Sequence, residues 1–248
     1  MCLIVFAWRP DHALPLVVAA NRDEFYARPS LPLAAWEDAP GLHAGRDLEA
    51  GGTWLGVTVN GRFAALTNIR KPGQPLGRHS RGELVAQFLR GRLSPSSYLA
   101  EVAARADAYS GFNLLVGDAD QLCYLNSHEG QPQRLAPGLY GLSNASLDTP
   151  WPKLQRAKAG LAACLDAAQP QALLELLGDA QAAADSALPD TGVGLATERL
   201  LSSMFIASPN YGTRASTALI RRADGTQTLV ERSFGPYGAH LGEVSLRL

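Results

Sequence analysis

A chain of 248 residues with 46% hydrophobic and 18% charged side chains can fill a complete core and is too apolar for a disordered one. Its formal net charge of -1 gives no electrostatic reason to expect a nucleic-acid backbone or an anionic membrane surface as partner. No apolar run approaches the ~20 residues that span a bilayer, and Cys2, Cys123 and Cys164 are an odd, widely spaced set that suits neither a disulfide framework nor a zinc site.

Residues 2–8 are apolar but lack a basic flank, and Arg9, Asp11 and His12 interrupt them at once. They therefore read as a strand of the mature protein rather than an export signal, and the expected location is cytoplasmic. With residues 14–20 they predict a hairpin around Arg9-Pro10-Asp11-His12. The stretch 28–52, rich in Pro, Gly, Ala and Asp, reads as a long functional loop. Residues 53–59 and 62–67 flank Asn60-Gly61, a dipeptide that tolerates the positive φ of a tight hairpin.

Helices are predicted over 80–90, with Leu84, Val85, Phe88 and Leu89 on one face, and over 95–108, where Ser94 precedes Pro95 at the first helical position. Strands return at 112–117, 121–126 and around 139–143. A turn over Asn144–Asp148 leads to helices at about 151–168 and 170–178. Residues 179–194 read as a surface loop; 203–207, 215–222 and 226–233 read as strands, the last two joined at Asp224-Gly225. This order predicts an α+β fold of antiparallel sheet with helices on its faces, and the absence of a composition break predicts one domain over 1–248.

Position 2 carries the first chemical signal. Removal of Met1 leaves Cys2 with an α-amine of pKa roughly 8 and a thiol of pKa roughly 8.5 on the same residue. Nucleophile and base then share one residue. The alternative is a small hydrophobe at the start of a buried strand. Asn21-Arg22-Asp23-Glu24 follows the second apolar run, and a hairpin brings that strand end near Cys2. There an Arg favours the thiolate and an Asp can hold the amine; the alternative is a turn with a surface ion pair.

Taken in order, Met1-Cys2, Ala20-Asn21-Arg22-Asp23-Glu24-Phe25, Arg28-Pro29, Gly51-Gly52-Thr53-Trp54-Leu55-Gly56, Ala65-Leu66-Thr67-Asn68, Arg81-Gly82-Glu83-Leu84 and Gly141-Leu142-Ser143-Asn144 resemble the NRDE family, that of the transport and Golgi organisation protein. The resemblance spans nearly the whole chain. It implies a cytoplasmic or organelle-associated protein whose eukaryotic relatives are linked to haem mobilisation and to lipid or acyl-CoA metabolism, with no settled reaction.

The motif order also resembles the cysteine N-terminal-nucleophile (Ntn) hydrolases of the choloylglycine hydrolase, penicillin V acylase and acyltransferase group. That resemblance implies a four-layer αββα sandwich with Cys2 as nucleophile. Arg22 and Asp23 flank it, although the group's Arg and Asp usually stand three apart and here are adjacent. Asn68 matches the first Asn loop, Asn144 the oxyanion-hole Asn, and Arg214 the late Arg. Amide N–H donors suit a site where attack puts charge on a carbonyl oxygen. The alternatives are that Asn68 and Asn144 are left-handed turn residues and Arg214 a strand-edge charge.

Gly141-Leu142-Ser143-Asn144-Ala145 approaches a nucleophile elbow, with His240 downstream, but lacks the second Gly. Haem is the other ligand class in view: of His12, His43, His79, His128 and His240, the pair His43 and His79 lies in Gly/Pro-rich stretches that could line a cleft. The resulting expectation is a cysteine hydrolase or acyltransferase acting on an amide or thioester of a small acyl substrate, without a cofactor or a metal. The alternative is a haem- or acyl-CoA-binding and trafficking protein on the same scaffold.

Overall fold

Backbone pairing sorts the chain into two antiparallel sheets, each belonging to its own compact unit, in a computed structural model that describes residues 2–74 and 76–248. The first unit comprises the chain up to Ala27, Arg70–Pro72 and Pro137–Leu248; the second comprises Arg28–Ile69 and Gly73–Ala136. The expected removal of Met1 concerns a residue outside the described ones.

The first unit opens with β1 (Cys2–Trp8) and β2 (Leu16–Phe25), paired from Cys2 opposite Arg22 to Trp8 opposite Leu16. Every residue of β1 is buried, as an apolar run between two neighbouring strands should be. β2 runs through Asn21-Arg22-Asp23 rather than stopping before them. Tyr211–Thr213 pair with Phe25–Asp23 and hold that stretch extended from its other edge.

The second unit holds β3 (Ser30–Ala35), β4 (Leu42–Asp47), β5 (Leu55–Thr58), β6 (Phe63–Asn68), α1 (Gly82–Arg90), α2 (Pro95–Ala103), β7 (Phe112–Gly117), β8 (Leu122–Asn126) and β9 (Gln133–Arg134). Its sheet follows chain order from β3 to β9. Gly61 takes a φ of +79° at the predicted hairpin turn, and the Ser94 hydroxyl accepts from the Ser97 N–H at 3.2 Å to start α2. Leu84, Val85, Phe88 and Leu89 pack with Tyr98, Leu99, Phe112 and Leu114 in one core. The predicted loop over 28–52 contains β3 and β4. The small residues there pair as the edge strand β3 and its neighbour β4, and Pro32 sits at a register irregularity on the outermost strand, where a missing N–H costs nothing.

The chain then completes the first unit with β10 (Gly138–Leu142), α3 (Pro152–Cys164), α4 (Pro170–Leu177), α5 (Leu195–Leu201), β11 (Tyr211–Arg221), β12 (Gln227–Phe234) and β13 (His240–Arg247). Its sheet order is β10-β1-β2-β11-β12-β13. Leu3, Val5, Ala7, Val17 and Ala19 form a core with Leu154, Ala157 and Leu161 of α3 and Leu173, Leu174 and Leu177 of α4. The predicted strand at 203–207 is only an isolated bridge between Ala207 and Gly212. Two elements carry no sequence signal: α5 follows Gly194 with no capping side chain, and β13 is a mostly exposed edge strand. The α+β class read from the element order is the observed one. Among the described residues, no helix is long and apolar enough to cross a membrane.

Asn21 shows how β2 organises its surroundings. Fully buried, it donates Nδ2 to the carbonyls of Leu177 (3.0 Å) and Met204 (2.8 Å) and accepts the Ser216 hydroxyl at 2.6 Å. It thereby ties the end of α4 and the approach to β11 onto the sheet. Asn21→Ala strands those groups, so a loss of about 2 kcal/mol or more is expected in the denaturant unfolding midpoint. A loss below about 0.5 kcal/mol, the size of an ordinary surface change, contradicts this role.

Candidate active site around Cys2

Strand alternation divides the candidate residues between two faces. Leu3, Val5 and Ala7 enter the helix-covered core, so Cys2, Ile4 and Phe6 turn to the other face. Arg22 lies directly across the pair from Cys2 and shares its face. Both are buried, Cys2 at 9% and Arg22 at 6% exposure. Asp23, adjacent on β2, turns to the helix side, like Ala19 and Asn21 before it. Side by side in sequence, the Arg and the Asp thus serve opposite faces of one strand.

Asp23 is anchored rather than loose. Its Oδ1 accepts the Thr213 hydroxyl at 2.8 Å, and the Thr213 oxygen accepts the Ile206 N–H at 3.0 Å. Its backbone N–H also donates to the Cys2 sulfur. Burial pushes the Cys2 thiol up, and the Asp23 charge adds to this, while Arg22 and the Asp23 N–H pull it down. Burial likewise raises the Asp23 carboxyl, against the pull of Lys153, Thr213 and Arg70.

The loop after β10 brings in Ser143 and Asn144, both buried. The Ser143 hydroxyl donates to the Cys2 carbonyl at 3.1 Å and to Asn144 Oδ1 at 3.3 Å. That engagement leaves the elbow reading of Ser143 without a histidine partner; His240 is an exposed residue of β13 whose ring lies 6.1 Å from Phe234. Asp148, at φ 58°, braces the loop by accepting the Gly141 N–H at 2.8 Å and Lys158 Nζ at 2.6 Å. Among the described residues only Asp148 and Tyr237 are non-glycines with positive φ, so Asn68 and Asn144 are not left-handed turn residues.

Four residues of this unit escaped the sequence reading. Arg70 donates its backbone N–H to the Asn144 carbonyl at 2.8 Å, and its Nη1 to Glu198 Oε2 at 2.7 Å. Both partners of that ion pair are buried, the guanidinium lies 4.8 Å from the Trp151 ring, and Glu198 also accepts from Thr191. No local pattern links positions 70 and 198. Lys153 and the half-buried Tyr211 complete the polar set, with Lys153 at 2% exposure on the inner face of α3. Its spacing to Ala157 and Leu161 was the available signal: a lysine on an apolar helical stripe.

Arg214, Asn68, His43 and His79 complete the expected set. Arg214 occupies the bulge of β11 and donates Nη1 to the carbonyls of Phe25 (3.1 Å) and Tyr26 (3.4 Å), holding the chain as it leaves β2. Asn68 is the last residue of β6 in the second unit, opposite Phe112. In the same unit, His43 lies inside β4 rather than in a loop, and His79 is exposed, 3.8 Å from Glu83 and ring to ring with Tyr109. Among the described residues, two cavities of that unit, of about 480 and 310 Å³, are lined by neither. No group of three His, Cys, Asp or Glu among the described residues is arranged to hold a metal ion.

Comparison with known proteins sets this geometry in context. The family model for Transport and Golgi organisation 2 matches residues 1–236. The chain is 40% identical to the Transport and Golgi organization protein 2 homolog of Bos taurus and 38% identical to that of Homo sapiens, over 94% of this chain and 93% of each relative. Its structure is similar to that of a C2A mutant of the conjugated bile acid hydrolase from Clostridium perfringens, with a TM-score of 0.56 over 100% of this chain and 92% of that one at 7% identity. At that identity the likeness concerns the fold alone, and the observed α+β class of antiparallel sheets with helices is the one expected from the sequence. The chain belongs to the Transport and Golgi organisation 2 family.

Proposed function

We propose that this protein is an Ntn-type cysteine hydrolase or acyltransferase that cleaves an amide or thioester bond of a small acyl substrate through an N-terminal Cys2. The observation that carries the proposal is the setting of Cys2: buried at the first position of β1, across from Arg22, with the Asp23 N–H on its sulfur. The name of the structurally similar bile acid hydrolase is in keeping with such a bond. A cytoplasmic location belongs to the same proposal, since reducing conditions there keep thiols free.

The chemistry follows from the residues. Burial raises the thiol, so Cys2 needs a base within reach, and loss of Met1 supplies one in its own α-amine. The amine takes the thiol proton and the thiolate attacks the carbonyl carbon. Arg22 favours the thiolate, while the Asn144 amide, with Oδ1 held by Ser143, is the donor assigned to the oxyanion. Collapse of the tetrahedral species breaks the C–N or C–S bond, and the ammonium returns its proton to the leaving group. Water, or an acceptor nucleophile in the transferase version, then attacks the acyl-Cys2 carbonyl and releases the thiolate. Arg214 enters this scheme as a brace on the end of β2.

Intact mass spectrometry of native protein tests the scheme. The expected result is a chain without Met1 that gains one acyl mass at Cys2 when given a p-nitrophenyl acyl ester or an acyl-CoA thioester, and gains nothing as Cys2→Ala. Retained Met1 overturns the mechanism, because the base is then missing. Absence of any adduct, with ligand binding unchanged in Cys2→Ala, favours haem or acyl-CoA carriage instead. Asn144→Ala should slow acylation by roughly 10²–10³, the usual cost of one oxyanion donor; an unchanged acylation rate removes Asn144 from the scheme.

A further inference from the structure

Arg70–Pro72 belong to the first unit, although the chain on either side of them belongs to the second. Arg70 anchors that short stretch. Its backbone N–H donates to the Asn144 carbonyl at 2.8 Å, its Nη1 donates to Glu198 Oε2 at 2.7 Å, and its guanidinium lies 4.8 Å from the Trp151 ring. Asn144 stands just after β10 and Trp151 just before α3. One residue therefore grips both ends of the loop that carries Asn144.

The grip is itself held. Glu198 uses both carboxylate oxygens: Oε2 takes Arg70, and Oε1 accepts the N–H and the hydroxyl of Thr191. The Arg70 and Glu198 side chains are 6% and 4% exposed. With Trp151 and Lys153 they line a space of only about 10 Å³, at the lower limit for one water. Burial pulls the guanidinium down, and Glu198 holds it up. Packed apolar side chains would serve stability as well as this pair. What the pair adds is direction, because a planar guanidinium meets a carboxylate in few orientations.

We propose that Arg70 is a positioning residue for Asn144: locked by Glu198 and Trp151, it fixes the Asn144 main chain at its carbonyl and so sets the Asn144 amide where an oxyanion forms. This deepens the reading of Asn144 as oxyanion donor and rests on it. A donor lowers the barrier only if it is aimed before the charge develops. Asn144 lies in a loop, so its aim needs support from outside the loop. Ser143 holds its Oδ1 and Arg70 holds its backbone, two restraints on one residue from different directions.

The test uses Arg70→Met/Glu198→Met, which removes both charges and leaves neither buried alone. Acylation of Cys2 by a p-nitrophenyl acyl ester, followed by mass spectrometry, should slow by about tenfold or more, with the half-saturating ester concentration unchanged. In the Asn144→Ala background the same pair of substitutions should cost no further rate, because Arg70 acts through Asn144. An unchanged rate in the first case, or an equal loss in both backgrounds, overturns the proposal. Should the double variant fail to fold, Arg70→Lys decides, since it keeps the charge and loses the planar fork. It should slow acylation in the native background and not in Asn144→Ala; equal slowing in both overturns the proposal.

Hydrogen exchange separates this proposal from the catalytic reading. If native Cys2 takes no acyl group, the catalytic reading falls, and the hold on Asn144 is still measurable. The N–H of residue 70 should exchange about tenfold faster or more in the double variant. The Gln227 N–H, bonded to the Leu248 carbonyl at 3.0 Å at the opposite end of the sheet, should exchange as in the native protein. Native exchange at residue 70, or an equal loss at both sites, overturns the proposal.

Discussion

Pairing of β2 along both edges is the constraint on which the first unit depends. β1 and β11 hold it extended through Asn21-Arg22-Asp23, a polar stretch that in isolation would favour a turn. Once it is extended, alternation does the sorting. Arg22 goes to the face of Cys2, and Asn21 and Asp23 go to the helix side. Asn21 spends its amide on the backbone of the elements crossing above, Asp23 receives Thr213, and the Asp23 N–H meets the Cys2 sulfur. A single strand thus carries structural, electrostatic and Cys2-facing residues at consecutive positions.

The second constraint is buried charge. Arg22, Asp23, Arg70, Lys153 and Glu198 are all nearly inaccessible to solvent in one unit. Burying so many charges is a poor way to gain stability, since desolvation offsets most of the attraction within an ion pair. Arg70 and Glu198 limit that cost through a short hydrogen-bonded contact, a Trp151 face and two donors from Thr191. A low-dielectric setting also strengthens each remaining interaction, which is of use where a thiol must be activated and an oxyanion held. The expense in stability is in keeping with the proposed chemistry at Cys2.

Legibility in the sequence varied with the range of the cause. The β1–β2 hairpin, the Asn60-Gly61 turn, the cap at Ser94 and the apolar face of α1 were readable because each depends on neighbours a few residues away. β3 and β4 were not, because their Ala, Gly and Pro content signals a loop and only pairing with β5 makes them strands. β13 and α5 were missed for the same reason: an exposed edge strand and an uncapped short helix carry little local pattern. Cys2, Arg22, Asp23 and Asn144 stood out through ordered motifs, and all four lie in the first unit. Arg70 and Glu198 did not, since no local pattern links positions 70 and 198, and Lys153 offered only its place on the apolar stripe of α3.

From its sequence alone the chain could be recognised as an α+β protein of antiparallel sheets, with a candidate reactive residue at position 2 and with ordered motifs of an NRDE type. Period-two apolar runs, turn dipeptides and short motifs are written along the chain, and their physics is local. Tertiary structure alone decided which face each polar residue takes and which polar groups meet. Those outcomes depend on register between strands far apart in sequence and on helices packed over them, as for Asp23 with Thr213 and Asn21 with the end of α4.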